Sequence, residues 1–167
     1  AHGGTVLYGS PFHHGLLAGD ASGRGWPTLR LAVSTAATLP EATARAFEKR
    51  FGLPLTQALG IIEAGLPAIN LEAARDKPTA VGKPTPGFEA TLRDERGEPV
   101  AEGEVGELWL RGPGMFDAYL LPWRPRDAVM HGGWFRTGDL ARRDGEGDLS
   151  LVGRTKSVIN VAGLKCF

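Results

Sequence analysis

Two kinds of patterning share this chain, and the switch between them near Val81 constrains its fold more than any other feature. Upstream, Leu29, Leu31 and Val33 alternate with Arg30 and Ala32, the period-2 signature of a strand with one buried face. A helical stretch and a further apolar segment, Leu53 to Leu59, follow, and strand, helix and strand make an α/β unit. Downstream of Val81, short alternating segments are punctuated by glycine, proline and acidic turns, which predicts antiparallel β structure. Phe88, Ala90 and Leu92 alternate with Glu89, Thr91 and Arg93 before a turn at Asp94 to Gly97. Leu108 and Leu110 alternate with Glu107, Trp109 and Arg111. The expected fold is an α/β portion over residues 1–80 followed by an antiparallel, β-rich, barrel-like subdomain over 81–153.

Local signals fill in the α/β part. Thr5 to Tyr8 reads as a short strand broken at Gly9-Ser10-Pro11, with a helix over Phe12 to Ala18 and a glycine-rich loop over Asp20 to Pro27. Thr38-Leu39-Pro40-Glu41 has the Thr-x-x-Glu form of a capping box with proline in the first turn. The helix it opens should run to about Phe51, where Gly52 stops it. In the β-rich part, the turn Arg143 to Gly147 joins Leu140 to Leu149 as a hairpin, which places Asp139 and Arg154 on neighbouring connections.

Composition narrows the function. Lysine plus arginine equals aspartate plus glutamate, 19 of each, so no net field recruits nucleic acid or an anionic membrane, and any anion site must be local. The single cysteine, Cys166, cannot form an internal disulfide and fits a reducing cytoplasm. With histidines scattered at 2, 13, 14 and 131 there is no zinc constellation. No apolar run approaches the roughly 18 residues of a membrane span. The chain begins without methionine and stops within an apolar-patterned segment, so it reads as a piece of a longer protein.

The run Gly133-Trp134-Phe135-Arg136-Thr137-Gly138-Asp139-Leu140, followed by Gly153-Arg154-Thr155-Lys156, carries the chemistry. An aspartate just after a glycine can accept two hydrogen bonds from a vicinal diol, and an arginine arriving from the next hairpin can add positive charge. A ribose with its phosphate suits the pair; the alternative is a hairpin turn closed by Thr-Gly-Asp with a solvated arginine nearby. Trp134 and Phe135 are expected to pack and hold the loop.

These residues resemble the adenylate-forming superfamily, which includes acyl-CoA and aryl-CoA synthetases, luciferases and the adenylation domains of peptide synthetases. The resemblance extends through Val81 to Glu89, Gly103 to Leu108, Arg111-Gly112-Pro113 and Val158 to Gly163. It implies an AMP-forming acyl-CoA or aryl-CoA ligase. A carboxylate and ATP give an acyl-adenylate and pyrophosphate, and the acyl group then passes to coenzyme A. The implied partners are a small carboxylic acid, ATP with Mg2+, coenzyme A, and the missing amino- and carboxyl-terminal parts of the same enzyme. The piece covers the late part of the large domain, with residues 154–167 as the hinge and the start of a truncated small domain. It lacks the phosphate loop and the catalytic lysine and is expected to be inactive alone.

The resemblance also assigns roles. Asp139 takes the ribose hydroxyls and Arg154 the ribose or phosphate side, in a catalytic capacity shared with Glu63, the ligand of the magnesium that bridges the ATP phosphates. Ala36, Ala58, Leu59, Gly60 and Ile62 line the nucleotide, Lys156 is the hinge, and Gly163 lies on the segment lining the thiol tunnel. His13 and Ser34 border the acyl pocket. The segment Gln57 to Glu63 departs from the family's aromatic-Gly-x-Thr-Glu pattern twice. Leu59 replaces the aromatic and loses stacking worth about 0.5 to 1.5 kcal/mol. Ile62 replaces the threonine that donates to the α-phosphate, at a cost of about 1.5 to 3 kcal/mol. Two further readings stay open: an adenylation domain loading a carrier protein or a fatty acyl-AMP ligase, and a noncatalytic homologue that binds a nucleotide or acyl group.

Overall fold

The computed structural model describes residues 3–155 and the backbone of 159–161 and 164–166. The chain divides into two units, Ala1–Thr85 and Pro86–Phe167.

The first unit is built on a five-stranded sheet of order β1-β2-β3-β4-β5. Strand β1 (Val6–Gly9), helix α1 (Pro11–Gly19), strand β2 (Leu31–Ser34), helix α2 (Glu41–Phe51) and strand β3 (Leu55–Ile61) form two successive β-α-β connections, and their three strands are parallel. Strands β4 (Gly65–Ile69) and β5 (Lys83–Pro84) extend the sheet antiparallel. The core gathers Ala32, Leu39, Ala44, Phe47 and Leu55, with Leu7, Leu17, Leu29 and Phe51 packed against it. Phe47 and Phe51, one helical turn apart on α2, pack with tilted rings at 4.6 Å between centroids. Gly52 ends the helix as its sequence position requires, in a left-handed conformation (φ 70°) with its N–H donated to Glu48 O at 2.8 Å.

Two local expectations are corrected. The alternation over Leu29 to Val33 does not mark a half-exposed strand, because β2 starts at Leu31 and Ala32, Val33 and Ser34 are all buried. An interior strand of a parallel sheet is covered on both faces, so the polar Arg30 merely precedes it. The Thr38 capping box also does not form. Pro40 itself occupies the N-cap without a side-chain bond, and its carbonyl accepts the N–H groups of Thr43 and Ala44 at 3.0 and 3.1 Å.

The second unit centres on a four-stranded antiparallel sheet of order β11-β10-β7-β6: β6 (Glu89–Arg93), β7 (Val105–Arg111), β10 (Phe135–Arg143) and β11 (Leu149–Arg154). Two small hairpins accompany it, β8 (Ala118–Tyr119) with β9 (Arg124–Pro125), and β12 (Ile159–Val161) with β13 (Leu164–Cys166). The barrel-like expectation is corrected here: among the described residues β6 and β11 remain the two edges of an open sheet. The two acidic turns are built alike. Asp94 Oδ1 accepts the N–H groups of Arg96 and Glu98 at 2.9 Å, and Asp144 Oδ1 accepts those of Glu146 and Asp148 at 3.0 Å.

Strand β7 is buried on both faces, Leu108 and Leu110 on one and Trp109 on the other. The polar face is covered by stacked cations. Arg136 and Arg93 lie over the Trp109 ring at 5.2 and 4.7 Å, and Arg93 and Arg111 over Trp134 at 5.5 and 4.6 Å. Glu107 bonds Arg136 at one end of this ladder and Glu89 bonds Arg111 at the other, at 2.6 and 2.7 Å.

Candidate functional site

In a parallel sheet, ligands bind outside the carboxyl ends of the strands, where the connecting loops diverge. The register of the first unit brings most of its candidate residues to that edge. Gly9 at the end of β1 pairs with Ser34 at the end of β2, and Ser34 pairs with Gln57 of β3. His13 follows β1 by one helical turn, Thr35 and Ala36 continue from β2, and Ala58 to Glu63 continue along β3 into its turn.

At this edge the backbone is shaped by small residues. Ala36 has φ +72° and is the one non-glycine residue with a positive φ among those described, a conformation that costs a β-carbon about 1 to 2 kcal/mol. Gly60 has no room for a side chain, since an added Cβ would sit 2.8 Å from Thr35 Oγ1. Ala58 and Leu59 are buried in the sheet. Ile62 and Glu63 occupy the turn between β3 and β4, closed by the Ala64 N–H bonding Ile61 O at 3.0 Å. Ile62 is 95% exposed at its apex. Ser34 is fully buried with no hydrogen-bond partner for its hydroxyl. The adjacent histidines divide their roles. His13 stays exposed and accepts the Ser10 N–H at 3.4 Å, capping α1. His14 is sealed in the core with Nε2 3.0 Å from Val33 O and its ring edge-on to Phe47, and burial lowers its pKa from 6.5.

In the second unit, Asp139 and Arg154 are direct cross-strand partners on β10 and β11, and Arg154 Nε lies 2.9 Å from Asp139 Oδ1. Asp139 sits on a bulge. Arg136 pairs with Trp109 and Leu140 with Glu107, so three residues of β10 stand against Leu108 alone. Gly138 takes φ +74° to make that bulge. Thr137 pins it: its Oγ1 donates to Leu108 O at 2.8 Å and accepts the Asp139 N–H at 3.0 Å. From the end of β11, Arg154 Nη2 donates to Thr137 O at 3.3 Å, and just beyond it the Thr155 N–H donates to Gly138 O at 2.9 Å. The Asp139 side chain is only 14% exposed, whereas that of Arg154 is 61% exposed. Burial raises the Asp139 pKa above 3.8, and the nearby Arg154 charge offsets part of that rise. Trp134 and Phe135 pack as expected, Trp134 in the arginine ladder and Phe135 edge-on to Phe116.

Lys156 and Gly163 lie outside the described residues. Thr35 and Thr137 escaped sequence reasoning; the signal for both was a hydroxyl residue at a strand end or bulge beside a small one. A cavity of about 570 Å³ in the second unit, lined by Glu89, Arg111, Met115, Arg126 and Met130 among others, contains none of the candidate residues. Among the described residues no three His, Cys, Asp or Glu side chains converge on a metal position, and no helix is long and apolar enough to cross a membrane.

Residues 1–120 match the family described as AMP-binding enzyme. The chain is 34% identical to the sulfoacetate–CoA ligase of Cupriavidus necator over 97% of its own length and 32% of the relative's. It is 32% identical to the anthranilate–CoA ligase of Pseudomonas aeruginosa over 95% of its length and 30% of the relative's. Among solved structures, the amide bond synthetase McbA from Marinactinospora thermotolerans superposes with a TM-score of 0.84 at 32% identity, covering 98% of this chain and 34% of McbA. ATP-bound MatB from Rhodopseudomonas palustris superposes with a TM-score of 0.82 at 28% identity, covering 98% and 33%. The chain thus spans about a third of the length of the proteins it matches.

Proposed function

As the chain belongs to the AMP-binding enzyme family, we propose that the protein it represents activates a small carboxylic acid with ATP and passes the acyl group to a thiol, that of coenzyme A. A carboxylate oxygen attacks the α-phosphorus of ATP, the bond to the bridging oxygen breaks, and pyrophosphate leaves. The thiol sulfur then attacks the acyl carbon, releasing AMP and a proton. The observation that carries this reading is the Asp139–Arg154 pair, a carboxylate held on a pinned bulge with a guanidinium directly across the strand.

In this reading Asp139 accepts hydrogen bonds from the ribose hydroxyls with the oxygen that Arg154 leaves free, and Arg154, whose side chain is largely exposed, offers its charge to the phosphate side. The edge formed by Ala36, Ala58, Leu59 and Gly60 is assigned to the flat base, since Ala36 and Gly60 put no long side chain at the strand ends. His13, in the first turn of α1, and Ser34, at the end of β2, are assigned to the acyl side. Glu63 would hold the magnesium ion that travels with the ATP phosphates, neutralising phosphate charge. Among the described residues no three His, Cys, Asp or Glu side chains converge there, which still fits, because Mg2+ is commonly bound by one or two carboxylates plus substrate phosphates. Lys156 and Gly163 are assigned to the hinge and the thiol tunnel, and Cys166, the single cysteine, suits a reducing compartment such as the cytoplasm.

The test is ATP–pyrophosphate exchange by the full-length protein against a panel of carboxylic acids, followed by thioester formation with coenzyme A. Exchange with at least one acid is expected. One observation favours a second reading: Ile62 stands at the turn apex, where the resemblance places a phosphate-donating threonine. Absence of exchange with every acid, alongside retained ATP binding, would establish a noncatalytic binding protein instead.

A further inference from the structure

We propose that Thr137 is a positioning residue of the nucleotide site, setting the Asp139 carboxylate at the depth and angle that distinguish a vicinal diol from a deoxygenated sugar. The inference rests on the assignment of Asp139 to the ribose. Its basis is the bulge. Residues 137–139 oppose Leu108 alone, so the ladder between β7 and β10 is interrupted just where Asp139 must be aimed. One hydroxyl bridges the gap: Thr137 Oγ1 gives its hydrogen to Leu108 O at 2.8 Å and takes one from Asp139 N at 3.0 Å. Thr137 is itself buried, so neither bond is shared with solvent. The other side-chain and loop ties, from Arg154 to Thr137 O and Asp139 Oδ1 and from the Thr155 N–H and hydroxyl to Gly138 O, come from the end of β11 and the residue after it. The hydroxyl is therefore the tie between the bulge and β7. A two-bond aspartate–diol contact tolerates little displacement, because both hydroxyls must reach carboxylate lone pairs at hydrogen-bond distance.

The hydroxyl separates from simple packing by substitution. Thr137→Val keeps the volume and loses both bonds, whereas Thr137→Ser keeps both and loses a methyl group. ATP–pyrophosphate exchange by the full-length protein is measured with ATP and with 2′,3′-dideoxy-ATP, and the ratio of their kcat/KM values is the readout. Thr137→Val should lower the preference for ATP at least tenfold, mainly through KM for ATP, with KM for the carboxylic acid unchanged; Thr137→Ser should retain it. If the valine variant does not fold, Thr137→Ala carries the same expectation. A preference untouched by loss of the hydroxyl overturns the proposal, as does a serine variant that falls as far as valine. The Asp139→Asn variant distinguishes the two levels. If it loses the preference while Thr137→Val keeps it, the ribose assignment stands and the positioning role fails. If Asp139→Asn keeps the preference, the ribose assignment fails and the positioning proposal with it.

Discussion

The two motif loops make opposite use of their residues. At the β3–β4 turn, the residues assigned to the phosphates stand at an apex whose Ile62 is almost fully exposed, and the turn rests on the backbone bond from Ala64 to Ile61. At the β10 bulge, Asp139 is mostly buried and flanked by a threonine hydroxyl, a guanidinium and a cross-strand amide. A residue carried on an apex can change identity without disturbing the fold. One built into a bulge cannot. This difference accounts for one of the two departures from the adenylate-forming pattern, Ile62 on the apex, while the bulge keeps Thr137, Gly138 and Asp139; the other, Leu59, lies buried within β3 and is not explained by it.

The most damaging substitution should lie in the bulge. Asp139→Asn removes charge-assisted bonds worth about 3 kcal/mol in total, so kcat/KM for ATP in the exchange assay should fall about a hundredfold. The same change should stabilise the fold. Burial raises the Asp139 pKa, so the folded chain holds that proton more tightly than the unfolded chain does. Stability from this group is present below the ordinary carboxylate value of 3.8 and is lost as pH rises through the elevated folded value. Thermal melts should therefore place Asp139→Asn above the parent at neutral pH, with the gap closing in acid; a gap that widens in acid contradicts the sign.

On the apex the expectation reverses. Ile62→Thr should raise exchange by one to two decades, the equivalent of about 1.5 to 3 kcal/mol for a donor to a charged group, with no change in melting temperature because nothing packs on the isoleucine. An unchanged or lower rate would mean that the missing hydroxyl does not limit adenylation.

The glycines of the two loops sharpen the contrast further. Gly60→Ala drives a Cβ into Thr35 Oγ1, an overpacking cost of about 1 to 3 kcal/mol that Thr35→Ala in the same chain should relieve. Gly138→Ala forces a side chain to φ +74°, a cost of about 1 to 2 kcal/mol that no partner substitution should relieve. Denaturant titration of the single and double variants measures both. The smallest effect is a gain: Ala36→Gly releases a strained alanine at φ +72° and should stabilise the chain by up to about 1 kcal/mol in the same titration.

Patterning made the architecture legible in outline because apolar period and turn chemistry are local. The Gly52 stop, the Asp94 and Asp144 turns and the hairpin that pairs Asp139 with Arg154 all follow from nearby residues. The failures were tertiary. Whether β2 is covered on one face or two depends on what packs over it, and whether the antiparallel sheet closes depends on strands brought from elsewhere. The Thr38 box failed locally, because Pro40 with ψ 135° already takes the N-cap geometry. In the site, residue types with chemistry were visible. The hydroxyls of Thr35 and Thr137, which shape the backbone beneath them, became evident only in three dimensions.

The arginine–tryptophan ladder on β7 gives the site a platform indifferent to acid. Its cations are guanidiniums, which keep their charge at any pH a protein meets, and their attraction to an indole face needs no proton exchange. Its terminal carboxylate Glu89 is held below the usual range by its bonds to Arg111, so that end stays ionised further into acid than an ordinary glutamate. Asp139 behaves in the opposite way and takes up a proton early. Acidification would thus neutralise the ligand-facing carboxylate before it neutralises Glu89, so that nucleotide affinity should fall as pH is lowered while the Glu89–Arg111 end of the ladder is still paired, and return on neutralisation.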